Sequence, residues 1–70
     1  MTDKELLNQL MSNSGITKSW LARRIGCSRP RIYKILSGGE CTASEIAGIS
    51  EALHLTTEQR DLVFFARKVV

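Results

Sequence analysis

Thr17-Lys18-Ser19-Trp20-Leu21-Ala22-Arg23-Arg24-Ile25-Gly26-Cys27-Ser28-Arg29-Pro30-Arg31-Ile32-Tyr33-Lys34-Ile35-Leu36-Ser37 forms the most strongly punctuated segment of the chain. It contains two helix starts and one helix stop, with the second stop just beyond it. Thr17 caps a first helix in which Leu21, Ala22 and Ile25 fall at i, i+1 and i+4, and Gly26 closes it. Ser28 caps the next, and Pro30 falls in the first turn, where its missing N–H has no intrahelical acceptor to lose. Ile32, Ile35 and Leu36 then share one face, and Gly38-Gly39 ends the helix. Only Gly26-Cys27-Ser28 joins the two, too short a link for antiparallel packing, so they should cross steeply.

On either side of this segment, apolar residues recur at three and four and never in sustained alternation. Thr2-Asp3-Lys4-Glu5 has the form of a capping box, followed by the stripe Leu6, Leu7, Leu10 and Met11 and a stop at Ser14-Gly15. Thr42-Ala43-Ser44-Glu45 opens a fourth helix, with Ile46, Ile49, Ala52 and Leu53 as its buried stripe, ending near His54. Thr56-Thr57-Glu58-Gln59 opens the last, expected over about 57–68, with Leu62, Phe65, Ala66 and Val69 on its core face. The prediction is an all-α domain of five short helices. Trp20, Phe64 and Phe65 read as packing residues and His54 as a lone histidine favoured at a helix C-terminus by the dipole.

The chain has 70 residues, room for one domain spanning 1–70 and no second core. A domain of this size buries only roughly 60% of its unfolded surface, and a partner subunit would add stability. No run of 18 apolar residues is present and the first five residues are polar and acidic, so a cytoplasmic protein with no membrane partner is expected. Cys27 and Cys41 read as buried free thiols and make neither a disulfide framework nor, with one histidine, a four-ligand metal site. No nucleophile–base set, paired-acid motif or phosphate-binding glycine loop occurs, so no enzyme activity, cofactor, metal or small-molecule ligand is expected.

Net charge is +3, unevenly distributed. From Lys18 to Lys34 there are six basic residues and no acid, while the rest of the chain holds four basic residues against seven acids. A positive pole on an acidic body is the footprint of a polyanion-binding surface. On the third helix, Pro30, Lys34 and Ser37 lie opposite the apolar face, Tyr33 and Arg31 flank them, and Arg29 projects from the N-terminal end.

The segment Ile16 to Gly38 resembles the helix-turn-helix of the lambda-repressor-like family of phage repressors, Cro proteins and related bacterial regulators. The matching signposts are Ala22 where the helices cross, Gly26 at the turn and Ile32 four residues into the third helix; Ile49-Ser50-Glu51-Ala52-Leu53 is similar too. The resemblance implies a compact five-helix DNA-binding domain with the helix-turn-helix at about 17–37. It also implies that Arg29, Pro30 and Lys34 face base edges of double-stranded DNA in the major groove; Tyr33, on the flank of that face, either joins them or packs partly against the second helix. Arg29 suits guanine O6 and N7, and Pro30, a departure from the family's polar residue, offers only apolar contact. Thr17, Lys18, Ser19, Arg31 and Ser37 are the expected phosphate contacts.

Val63, Phe64 and Val70 are left off the expected core face of the last helix. They are therefore expected to be exposed and to form a two-fold homodimer interface, which would space two recognition helices about one DNA turn, roughly 34 Å, apart on a palindromic operator. The expected function is a transcriptional repressor of Cro type. The alternatives are an antitoxin-type autoregulator, or a protein-interaction adaptor that keeps the fold without base-specific DNA binding.

Overall fold

Every helix among the described residues begins at a short polar side chain that accepts a hydrogen bond from an otherwise unpaired first-turn amide. A computed structural model describes residues 2–65, which form α1 (Lys4–Ser14), α2 (Lys18–Ile25), α3 (Arg29–Leu36), α4 (Ala43–Ala52) and α5 (Thr57–Phe64), with no strand among the described residues. Thr17 accepts from the Trp20 amide and Ser28 from the Arg31 amide, with Pro30 in the first turn of α3. Thr42 with Glu45, and Thr56 with Gln59, form complete capping boxes.

The start of α1 differs from expectation. Asp3, not Thr2, is the cap, accepting from the Leu6 amide at 3.1 Å. Thr2 is buried, and its Oγ1 donates to the Gly39 carbonyl at 2.8 Å. The Asp3 amide in turn donates to the Val63 carbonyl at 2.6 Å. Thr2 and Asp3 thus pin the beginning of the chain to the loop after α3 and to α5, which takes Thr2 away from capping.

The core draws on all five helices: Leu7 and Met11, Leu21 and Ala22, Ile32, Ile35 and Leu36, Ile49 and Ala52, Val63 and Phe64. At the α2–α4 crossing Gly48 carries the close approach. A Cβ built there would lie 2.6 Å from Ile25 Cγ2. Ala22, 3% exposed, and Gly26, in the left-handed region at φ 76°, stand where the turn of the motif requires a small side chain and a positive φ.

The last helix is turned relative to its predicted face. Val63 and Phe64, expected at a dimer interface, are 0% and 4% exposed and belong to the core. Leu62 and Phe65, expected inside, are 44% and 47% exposed. The helix ends at Phe64 with Phe65 as its cap, shorter than the 57–68 read from the sequence. Ala66, Val69 and Val70 lie outside the described residues. A two-turn helix buries whichever stripe its docking selects, and here the tie from Asp3 to Val63 and the packing on α1 select Val63 and Phe64.

One further expectation changes, and one residue shows its conformation. Trp20 is 43% exposed on α2 instead of buried. His54 lies just beyond the α4 cap at φ 53°, with its amide donating to the Glu51 carbonyl and that of Leu55 to the Ser50 carbonyl. That is the paired hydrogen-bond pattern of a Schellman stop, with histidine in the place glycine usually takes.

Candidate nucleic-acid interface

The core stripe of α3 fixes which of its residues face outward. Ile32, Ile35 and Leu36 are buried, so Pro30, Tyr33, Lys34 and Ser37 are exposed, with Arg29 at the N-terminal end also exposed. The first turn of α2 stands beside them. The Lys18 ammonium lies 5.1 Å from the centroid of the Tyr33 ring, a cation–π contact. Arg29 Nη1 donates to Ser19 Oγ at 3.3 Å. Four of the residues singled out from the sequence are therefore joined in two pairs across α2 and α3.

Thr17 Oγ1 is occupied by the Trp20 amide, and the Thr17 carbonyl by that of Leu21. The amides of Lys18 and Ser19, in the first turn, have no acceptor within their own helix, and the helix dipole adds partial positive charge there. Ser37 is placed differently. Its hydroxyl donates back to the Lys34 carbonyl at 2.8 Å. Gly39 closes against that same carbonyl, its amide donating at 2.9 Å, and a Cβ at Gly39 would meet the oxygen at 2.8 Å.

Arg31 points away from the Tyr33 flank, toward α4. Its Nε donates to Glu45 Oε2 at 2.8 Å and its Nη2 to Glu45 Oε1 at 2.7 Å, while Nη2 also donates to the Glu40 carbonyl at 2.9 Å. Hydrogen bonding to Arg31 holds the Glu45 carboxyl down to about 2, and the same contact raises Arg31 above its ordinary value. Arg24 pairs with Glu51 at 3.3 Å across two exposed side chains. The acid-free window is therefore partly neutralised by α4. Lys18, Arg23, Arg29 and Lys34 form no ion pair among the described residues.

Sequence reasoning missed Asn8 and Ser12 of α1. With Lys18, Ser19 and Tyr33 they line an open cleft of about 440 Å³. Asn8 Nδ2 donates to the carbonyls of Lys4 and Leu36, at 2.7 and 2.8 Å, tying α1 to the end of α3. Nothing in the local sequence marks Asn8, because its partner Leu36 is 28 residues away. Cys27 and Cys41 are free and half-buried, and burial raises both thiols above their ordinary value. Among the described residues no group of three or more His, Cys, Asp or Glu is placed to hold a metal, and no helix is long and apolar enough to cross a membrane.

A family model described as a helix-turn-helix domain matches residues 5–63. This chain belongs to that helix-turn-helix family. No curated protein and no solved structure matches it. In a helix-turn-helix domain α2 and α3 are the motif, with Gly26 at its turn, and α1, α4 and α5 are the scaffold that orients it. Membership supports a DNA-binding role.

Proposed function

We propose that this protein is a sequence-specific transcriptional regulator of repressor or Cro type that binds double-stranded DNA through the major groove. One observation carries the reading. The exposed ridge of α3 and the adjoining first turn of α2 bring Arg29, Lys34 and Lys18 onto one face with no carboxylate paired to them among the described residues. In this reading Arg29 reads guanine O6 and N7 with its forked donors, Lys34 donates to a purine acceptor, and Pro30 and Tyr33 offer apolar contact to a thymine methyl. Lys18 and the first-turn amides of α2 bind phosphate and set the register of α3 in the groove. Occupation of an operator then blocks polymerase sterically.

Two-fold association belongs to this reading, now through the exposed Leu62 and Phe65 side of α5 in place of Val63 and Phe64. Selection of bound sites from random duplex DNA tests the whole proposal. The expected result is an enriched inverted repeat whose half-sites lie about one helical turn apart. Absence of any enriched sequence would favour the adaptor alternative.

A further inference from the structure

We propose that Arg31 is a positioning residue: clasped by Glu45, it sets the rotation of α3 against α4 and so governs base discrimination without itself touching DNA. This rests on the DNA-binding reading above. Arg31 lies between Pro30 and Ile32 in the helix whose outer face would enter the groove, and by residue type alone it is a phosphate contact. The geometry commits it elsewhere. Both hydrogen bonds to Glu45 are 2.8 Å or shorter, in the two-point pairing that matches a guanidinium fork to a carboxylate. The side chains of Arg31 and Glu45 are only 30% and 14% exposed.

The same carboxylate has a second task. Glu45 Oε1 accepts the Thr42 amide at 2.8 Å, and Arg31 Nη2 accepts nothing but donates onward to the Glu40 carbonyl. One ion pair therefore ties together α3, the loop that follows it and the first turn of α4. Nε and Nη2 of this guanidinium are taken by Glu45 and the Glu40 carbonyl, so a phosphate oxygen could approach only its Nη1 end without displacing a carboxylate held by three hydrogen bonds. With Glu45 at 2.7 Å, the pair also presents little net charge to a polyanion.

Rotation of α3 matters because the helix is short. It has eight residues, with Lys18 over Tyr33 on one flank and the Arg31 clasp on the other. For side chains ending about 6 Å from a helix axis, a rotation of roughly 10° displaces their tips by about 1 Å. Two-point hydrogen bonds to a base edge lose their geometry over that distance. The clasp thus holds Arg29 and Lys34 in register with a groove that Arg31 never enters.

Glu45→Gln separates the two roles. Glutamine keeps an acceptor for the Thr42 amide, as Gln59 does for Thr56 at the start of α5, and removes the charge that holds Arg31. Binding is measured by fluorescence anisotropy on a selected duplex and on an unrelated one, across a range of salt, with circular dichroism confirming folded protein. The expected result is an about tenfold fall in the ratio of selected to unrelated affinity, with an unchanged salt slope on the unrelated duplex. Arg31→Lys, which keeps the charge and loses the fork, should fall the same way and carries the test if Glu45→Gln does not fold. Tighter binding of Glu45→Gln to both duplexes with a steeper salt slope would overturn the proposal, since a freed Arg31 would then be reaching phosphate. An unchanged ratio in both variants would overturn it equally. A native protein that discriminates no duplex defeats the DNA-binding reading itself and this proposal with it, a result distinct from a native protein that discriminates and variants that match it.

Discussion

The Lys18 ammonium lies 5.1 Å from the centroid of the Tyr33 ring, so the first turn of α2 and the outer flank of α3 present one cationic surface. Removing the charge should act on all sequences alike. Lys18→Ala is expected to weaken binding to every duplex and to reduce the slope of log affinity against log salt by about 0.9, the share of one phosphate contact. Arg29→Ala should instead cost about 1–3 kcal/mol at particular base positions and relax preference there. Anisotropy titrations against salt, on selected and scrambled duplexes, distinguish the two. Equal losses from both variants on all sequences would remove Arg29 from base reading.

Gly48 and Ile25 set the α2–α4 spacing. Alanine favours a helix over glycine by about 1 kcal/mol, yet at Gly48 its Cβ would meet Ile25 Cγ2 at 2.6 Å and Ile25 Cβ at 3.1 Å. A β-branched side chain has little freedom to move aside. Gly48→Ala is therefore expected to destabilise the domain by about 1–3 kcal/mol through overpacking. Thermal unfolding checks this, and adding Ile25→Ala should recover part of the loss. A stabilised Gly48→Ala would show that the helices slide apart at little cost.

His54 holds a left-handed conformation at φ 53°, which costs an L-residue roughly 1–2 kcal/mol. His54→Gly should relieve part of that and raise stability by about 0.5–1 kcal/mol, after allowance for the greater freedom of glycine in the unfolded chain. His54→Val should lower stability. Chemical denaturation reads both. A fall in stability with glycine would mean that the imidazole makes a contribution larger than the strain.

Phe64 and Phe65 should separate folding from association. Phe64 is 4% exposed, and Phe64→Ala is expected to cost about 3–5 kcal/mol, enough to unfold a domain of this size. Phe65→Glu changes an exposed side chain and should move stability by no more than about 0.5 kcal/mol. Under the proposed α5 association it should also weaken self-association in sedimentation. An unchanged association constant would take α5 out of the interface.

Glu45 makes stability depend on acid. Its folded value of about 2 lies below the ordinary 4.5 because Arg31 hydrogen-bonds the carboxylate. A depressed carboxyl stabilises the fold above its unfolded value, and that contribution is lost as pH falls from about 4.5 toward 2. Glu45→Gln should therefore be less stable than the native protein at neutral pH and lose less on acidification over that window. Parallel acid dependence in the two proteins would count against the ion pair.

How far the sequence could be read follows from the range of the interactions involved. Thr17, Ser28, Thr42 and Thr56 are caps whose partners lie three residues away, and Gly15 and Gly26 end helices through their own φ; such features are written locally and appear where the sequence places them. The outward ridge of α3 follows as directly, because Ile32, Ile35 and Leu36 leave no other orientation. Thr2 misled because its hydroxyl finds Gly39, 37 residues away, and not the first turn of α1.

Five helices among the described residues, the caps Thr17, Ser28, Thr42 and Thr56, the helix-turn-helix and the basic segment that forms it were legible in the sequence, since each depends on side chains within one or two turns of one another. Packing between helices decided three of the features that bear most on function and stability. It buried Val63 and Phe64 in place of Leu62 and Phe65, turned Arg31 onto Glu45, and set Gly48 against Ile25. In each case the deciding partner lies on another helix, and a helical period specifies which residues share a face but not which face the rest of the protein will cover.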